Sequence, residues 1–213
     1  NHVLAQILIY QLKLTEYNKA QQKNIWLDER HTSLNKDLTI GVLGVGYLGK
    51  FIANKLKSLN YNVIGYKNTI SAAKYSIPIY YKKSLKTFLK LSDIIVSVLP
   101  ATKETRDLIN KSFLNQMKKK SLLINIGRGS SLNEMDLLKH IKQNKFFFAS
   151  LDVFKKEPLP KNSKLWKNQN ITVTPHVAAI TDVDSSINYI FSKFEQFRTN
   201  GKIKSDVKIK NGY

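Results

Sequence analysis

The chain of 213 residues contains no cysteine, which excludes disulfides and thiolate metal sites and fits a cytoplasmic protein. No apolar run approaches the roughly 18 residues expected of a membrane span, and no signal-peptide pattern is present, so a soluble protein without a membrane partner is expected. Arginine is scarce: Arg30, Arg106, Arg128 and Arg198 are the only four among 35 basic residues, so the formal charge of +20 is almost entirely lysine, scattered along the whole chain. Arginine is the side chain suited to bidentate phosphate and base contacts. The charge is therefore read as lysine-rich solvated surface with weak, salt-sensitive attraction to polyanions, and not as a specific nucleic-acid site. Acidic residues are missing altogether between Asp37 and Asp93. Internal repeats and low-complexity tracts are absent as well. The chain opens at Asn1 inside an apolar helical pattern with no capping sequence before it, and it is expected to be the C-terminal part of something longer.

What is present begins with TIGVLGVGYLGKF (39–51). A short apolar run leads into Gly44, Gly46 and Gly49 at G-x-G-x-x-G spacing, and the helix-compatible FIANKLKSL follows. Strand, tight turn and helix in that order form a dinucleotide-binding fingerprint. The first glycine serves the turn, the second admits a pyrophosphate to the backbone, and the third lets helix and strand pack closely. The expected cofactor contacts here are Gly44, Gly46, Tyr47, Leu48 and Gly49, with phosphate on the helix N-terminus.

At 42% hydrophobic, the chain can form one sizeable core. HVLAQILIYQLKL (2–14) starts a helix, expected to run to about residue 22, whose dense apolar positions should pack against a partner subunit or another domain. The polar segment 26–36 follows, with Asp28, Glu29 and Arg30 as surface charge. YNVIGY (61–66) reads as a second strand. An NAD site places an acidic residue near its end to hold the ribose hydroxyls. This chain has Lys67, Asn68 and Thr69 there instead. A cation with two neutral hydrogen-bonding side chains suits a 2′-phosphate, so NADP(H) is expected over NAD(H), which stays possible. Further strands are expected at Ile77-Pro78-Ile79, DIIVSVLP (93–100), SLLINI (121–126), FFFASLDVF (146–154) and ITVT (171–174), with helical runs between them. That alternation implies an α/β fold with a doubly wound parallel sheet of Rossmann type. From about Asp182 come one amphipathic helix and a lysine-rich tail.

Ligands of such sheets bind outside the carboxyl ends of the strands. Arg128 in INIGRGS, Asp152 and Glu157 in LDVFKKEPLP, and His176 in TPHVAAIT all fall just after strands. Reduction of a carbonyl by hydride needs a proton donor at the developing alkoxide, a cation to hold the substrate, and gains from an acid that orients the donor. Histidine titrates near neutrality, a neighbouring carboxylate keeps it charged, and arginine can grip a carboxylate bidentately.

GVLGVGYLG, SVLPATKETRDLIN, INIGRGS, SLDVFKKEPLP, LWKNQNITVTPHVAAIT and the terminal NGY together resemble the D-isomer-specific 2-hydroxyacid dehydrogenase family, over almost the entire chain. Within it they are most similar to the NADPH-using branch that reduces glyoxylate and hydroxypyruvate. The resemblance implies hydride transfer from NADPH to a small 2-oxo acid, giving glycolate or D-glycerate. It implies that Arg128 binds the substrate carboxylate and carbonyl, that His176 is the acid/base, and that Glu157 is its partner. It places Asp152 by the nicotinamide amide and Leu99, Pro100 and Thr105 near the adenosine half, with Gly127, Arg128, His176 and Ala178 completing the cofactor contacts. That branch typically carries a Ser-Arg pair where this chain has Lys67-Asn68. It further implies a homodimer and three regions: a linking and dimerisation segment (1–36), the nucleotide domain (37–181), and a C-terminal helix and tail (182–213) belonging to a flavodoxin-like substrate domain most of which is absent. The alternatives are a module that binds NADP(H) with little turnover, and another family member such as a phosphoglycerate dehydrogenase.

Overall fold

The computed structural model describes residues 1–28, 33–70, 74–179 and 182–202. The surface charges expected at Glu29 and Arg30, the end of TPHVAAIT, and the tail from residue 203 to the terminal NGY lie outside the described residues. Residues 1–178 form one compact unit, and 179–213 a second.

The first unit is built on seven parallel strands: β1 (Thr39–Leu43), β2 (Asn62–Lys67), β3 (Ile79–Tyr81), β4 (Ile94–Ser97), β5 (Ser121–Asn125), β6 (Phe147–Leu151) and β7 (Ile171–Val173). Their order in the sheet is β3-β2-β1-β4-β5-β6-β7. The chain thus runs outward from β1 to β3, then crosses back to β4 on the other side of β1, and the direction reverses between β1 and β4. In a doubly wound sheet that reversal opens the ligand crevice at the carboxyl ends of those two strands.

Alternation along the strands divides the core into two layers. Val42, Val96 and Ile124 enter one cluster with Val3 and Ile7 of α1 (His2–Gln11) and Ile52 and Leu56 of α3 (Tyr47–Ser58). Leu43, Ile95 and Leu123 enter the other, with Phe88 and Leu89 of α4 (Leu85–Leu91), Phe113 and Leu114 of α5 (Lys111–Leu114), and Leu137 and Ile141 of α6 (Glu134–Gln143). Central strands covered on both sides are mostly apolar, which is why β4 and β5 read as near-continuous runs whose polar residues, Ser97, Ser121 and Asn125, stand at their ends. Each such Ile or Leu contributes roughly 1.5–3 kcal/mol by leaving water.

Four elements depart from the sequence expectation, one of them the sixth strand, which spans Phe147–Leu151 and not 146–154. The first helix is broken: Lys13 takes a left-handed conformation (φ 53°), and α2 (Leu14–Gln21) starts after it. The break sits where Gln11 is pinned, its side-chain amide donating to Ser33 O (2.7 Å) and its carbonyl accepting from the Tyr61 hydroxyl (2.6 Å). The apolar side of α1 also needs no second chain to be buried: Ile7 is fully enclosed against the sheet, and Tyr10 meets Phe148 edge to face at 5.8 Å. The third strand begins at Ile79 and not at Ile77, because Pro78 has no N–H and joins the ladder only through its carbonyl, which accepts from Gly65 N (2.9 Å). The fourth spans four residues, not eight. Asp93 turns its carboxylate to Thr39 N (2.9 Å) and Lys118 Nζ (2.7 Å), and past the strand's last residue, Ser97, only Val98 N still donates to β1, at Leu43 O (2.9 Å).

The second unit contains α7 (Val183–Asn200). The Asp182 side chain caps it by accepting from Ser185 N (2.9 Å), and Gly201, left-handed at φ 62°, ends it. Among the described residues no helix is long and apolar enough to cross a membrane.

Candidate active site and cofactor cradle

The turn after β1 shows what each glycine permits. Gly44 has φ +100°, which other residues adopt only with strain. A Cβ on Gly49 would lie 2.0 Å from Gly44 O, so only glycine lets α3 close onto the turn. A Cβ on Gly46 would meet nothing within 4 Å. The middle position therefore faces open space at the start of α3, whose N-cap residue, Gly46, offers no side chain to the first-turn N–H groups. Free N–H groups at a helix N-terminus beside open space fit a phosphate. Tyr47 and Leu48 follow on the exposed side of that turn.

Neighbouring loops close around this turn. Gly44 N donates to Tyr66 O (3.0 Å), which joins the turn to the end of β2 and brings Lys67 beside it. Lys67 Nζ donates to the Tyr75 hydroxyl at 2.6 Å; Asn68 and Thr69 follow, exposed. After β4, Thr105 Oγ1 accepts from Thr102 N (2.9 Å) and donates to Pro100 O (2.6 Å), folding that loop on itself. Leu99 is buried, and a Cβ on Gly127 would lie 2.6 Å from both Leu99 N and O, so the loops after β4 and β5 touch through their backbones.

On the other side of the crevice stand the polar residues. His176 Nδ1 and Glu157 Oε2 are 2.8 Å apart, and Glu157 Oε1 accepts from Phe154 N, also at 2.8 Å. The glutamate is thus oriented from one oxygen and holds the imidazole with the other, which directs Nε2 away from the carboxylate. His176 adopts φ 58°, a left-handed backbone that a non-glycine residue keeps only when its surroundings impose it. Those surroundings are supplied by Asp152, which is buried: Oδ1 accepts from Thr174 Oγ1 (2.6 Å) and Val177 N (2.9 Å), and Oδ2 from Ala178 N (2.9 Å). One carboxylate so clamps the chain on both sides of His176. Burial pushes the Asp152 carboxyl pKa up, but the Thr174 hydroxyl and the two amides outweigh it and hold it below the ordinary aspartate value. For Glu157, burial also pushes upward, and the bonds from His176 and Phe154 N prevail, leaving it below the ordinary glutamate value.

Arg128 reaches the same rim through backbone packing. A Cβ on Gly129 would lie 2.0 Å from Phe154 C and O, so the Arg128 turn rests on the turn that orients Glu157. Ser131 Oγ donates to Arg128 O (2.8 Å), Asn125 Oδ1 accepts from Gly127 N (3.3 Å), and the exposed guanidinium donates to Gly127 O (2.8 Å).

Residues 4–178 match the family described as D-isomer specific 2-hydroxyacid dehydrogenase, NAD binding domain. The chain belongs to this family. The glyoxylate/hydroxypyruvate reductase A of Photorhabdus laumondii is 36% identical over 212 residues, covering 100% of this chain and 67% of that protein. Among solved structures, the NADPH-dependent glyoxylate/hydroxypyruvate reductase of Sinorhizobium meliloti, in complex with NADP and sulfate, superposes with a TM-score of 0.92 at 30% identity, over 100% of this chain and 68% of the other. A D-isomer specific 2-hydroxyacid dehydrogenase of Xanthobacter autotrophicus in complex with NADPH and MES gives 0.92 at 30%, over 100% and 87%.

Within this candidate site, the sequence pattern singles out the polar residues after the strands but not those that hold them. Thr174, Asn125 and the Phe154 amide were not picked out, nor was Tyr75. A polar residue closing an otherwise apolar strand, as Asn125 closes SLLIN, is the signal that could have found two of them.

Proposed function

We propose that this chain carries the nucleotide-binding and acid/base half of an NADPH-dependent reductase acting on a small 2-oxo acid, with glyoxylate or hydroxypyruvate as substrate and glycolate or D-glycerate as product. The observation that carries this reading is the His176–Glu157 pair, set from the Phe154 amide on the rim shared with the glycine turn. The names and ligands of the relatives support the same chemistry. Gly46 and the start of α3 would receive the pyrophosphate, Lys67 with Asn68 and Thr69 the 2′-phosphate, and the loops at Leu99–Pro100, Thr105 and Gly127 the remainder of the cofactor. When bound, the reduced nicotinamide supplies the hydride. Arg128 grips the substrate carboxylate and polarises the carbonyl. His176 gives the proton to the oxygen that becomes a hydroxyl, and Glu157 keeps the imidazole oriented for that transfer. Asp152 holds the loop that presents His176 and Ala178, and lies at the nicotinamide side of the crevice.

A second reading, a module that binds NADPH with little turnover, is favoured by one fact: the chain spans 67% of the length of the Photorhabdus laumondii reductase described above. A homodimer belongs to the proposal too; Leu12, Leu14, Ile25 and Trp26 are exposed apolar side chains of the N-terminal segment that a partner would cover. The test is NADPH oxidation by the purified chain with hydroxypyruvate and glyoxylate in turn and NADH as control, alongside NADPH binding by fluorescence. Turnover that disappears in His176→Ala supports the reductase. Tight NADPH binding without turnover selects the module.

A further inference from the structure

The end of β2 carries more order than a solvated lysine requires. Lys67 Nζ sits 2.6 Å from the Tyr75 hydroxyl, donating one of its three N–H groups to it. Tyr75 is itself held in place by the next residue. Ser76 Oγ donates to Asn54 Oδ1 of α3 (2.6 Å), and Ser76 O accepts from Lys57 Nζ (2.5 Å). A chain of contacts therefore runs from the helix that follows the glycine turn, through Asn54, Ser76 and Tyr75, to the Lys67 ammonium. No aspartate or glutamate occurs between Asp37 and Asp93, so no local carboxylate competes for that ammonium or offers itself to a ribose diol.

We infer that Tyr75 is a specificity-determining residue, a positioning group that fixes the Lys67 ammonium for the 2′-phosphate of the cofactor and so sets the preference for the phosphorylated dinucleotide. This rests on the reading of the glycine turn as a dinucleotide site. The physical reason is preorganisation. A free lysine side chain has much rotamer entropy to lose, and a group already ordered by its neighbours loses less of it when the ligand arrives. The Lys67 ammonium keeps two donors beyond the one engaged with Tyr75, enough for a dianionic phosphate.

The test is titration calorimetry of the wild-type chain and Tyr75→Phe with two probes, adenosine 2′,5′-bisphosphate and adenosine 5′-monophosphate, which need no turnover. The wild type is expected to favour the bisphosphate. Tyr75→Phe, which keeps the ring and its packing, is expected to lose roughly tenfold of that ratio while binding the monophosphate unchanged, as removal of one hydrogen bond to a charged group implies. Ser76→Ala, remote from any nucleotide, is expected to lower the ratio by a smaller factor in the same direction. An unchanged ratio in Tyr75→Phe overturns the proposal, as does tighter bisphosphate binding, which would make the phenol a competitor for the ammonium. Equal affinity of the wild type for both probes overturns it while leaving nucleotide binding intact. Binding of neither probe overturns the dinucleotide reading and this proposal together.

Discussion

The two sides of the crevice are made by opposite means. The glycine turn is defined by what its residues lack: no Cβ at Gly49 to strike Gly44 O, none at Gly46 to fill the space before α3, and no acidic residue along the chain between Asp37 and Asp93. The proposed acid/base side is defined by what it gathers. Glu157 meets His176 across 19 residues, and Asp152 meets Thr174, Val177 and Ala178 across 22 to 26. A phosphate site can be built from consecutive backbone N–H groups, so it is compact in sequence. The His176–Glu157 pair joins side chains from the loops after β7 and β6, which lie close in space but far apart in sequence.

This contrast predicts opposite patterns of damage. The largest effect is expected on the gathered side: in an active holoenzyme, His176→Ala lowers kcat by roughly 10²- to 10⁴-fold while NADPH affinity measured by fluorescence stays within twofold. Next comes a pair of substitutions that separate packing from binding. Gly49→Ala puts a methyl into Gly44 O and is expected to cost about 1–3 kcal/mol in denaturant unfolding, with loss of NADPH binding. Gly46→Ala meets no protein atom, so its unfolding midpoint should not move, while NADPH affinity falls by about tenfold or more. Equal destabilisation by the two alanines would break the distinction between a packing glycine and a cradle glycine.

A smaller effect concerns pH. Asp152 and Glu157 both have folded-state pKa values below their ordinary ones. Groups of that kind stabilise the fold above their unfolded values, near about 4, and the contribution is lost as pH falls through the depressed folded values. Chemical denaturation from neutral pH downward should therefore show stability declining below about pH 4–5, with Asp152→Asn flattening the decline. His140 adds to the same direction at higher pH: burial against Phe147 depresses its pKa, so stability supported by its neutral form declines as pH falls below about 6.5.

Much of this architecture was legible before the structure. Strand and helix alternation, the glycine turn, and the residues Arg128, Asp152, Glu157 and His176 after their strands all followed from local pattern, because period-2 burial and turn chemistry act over a few residues. The break at Lys13 was not legible, since it depends on Gln11 being tied to Tyr61, 50 residues away. Nor was the clamp by Asp152: besides the Thr174 hydroxyl, its partners are two backbone amides, which every residue but proline possesses, so no side-chain signal marks those two.

By itself, then, the sequence determined the sheet, its crevice and the inventory of groups on the rim, since apolar periodicity and the absence of side chains at three glycines leave little other choice. Only the tertiary structure decided that Glu157 takes its bearing from the Phe154 amide, that Asp152 holds the left-handed turn at His176, and that Lys67 is fixed by Tyr75. The clamp at His176 joins atoms 22 to 26 residues apart, a distance set by how strands and helices pack against one another. The other two contacts span only 3 and 8 residues, but each needs the particular path its loop takes after the strand, which residue identity alone does not specify.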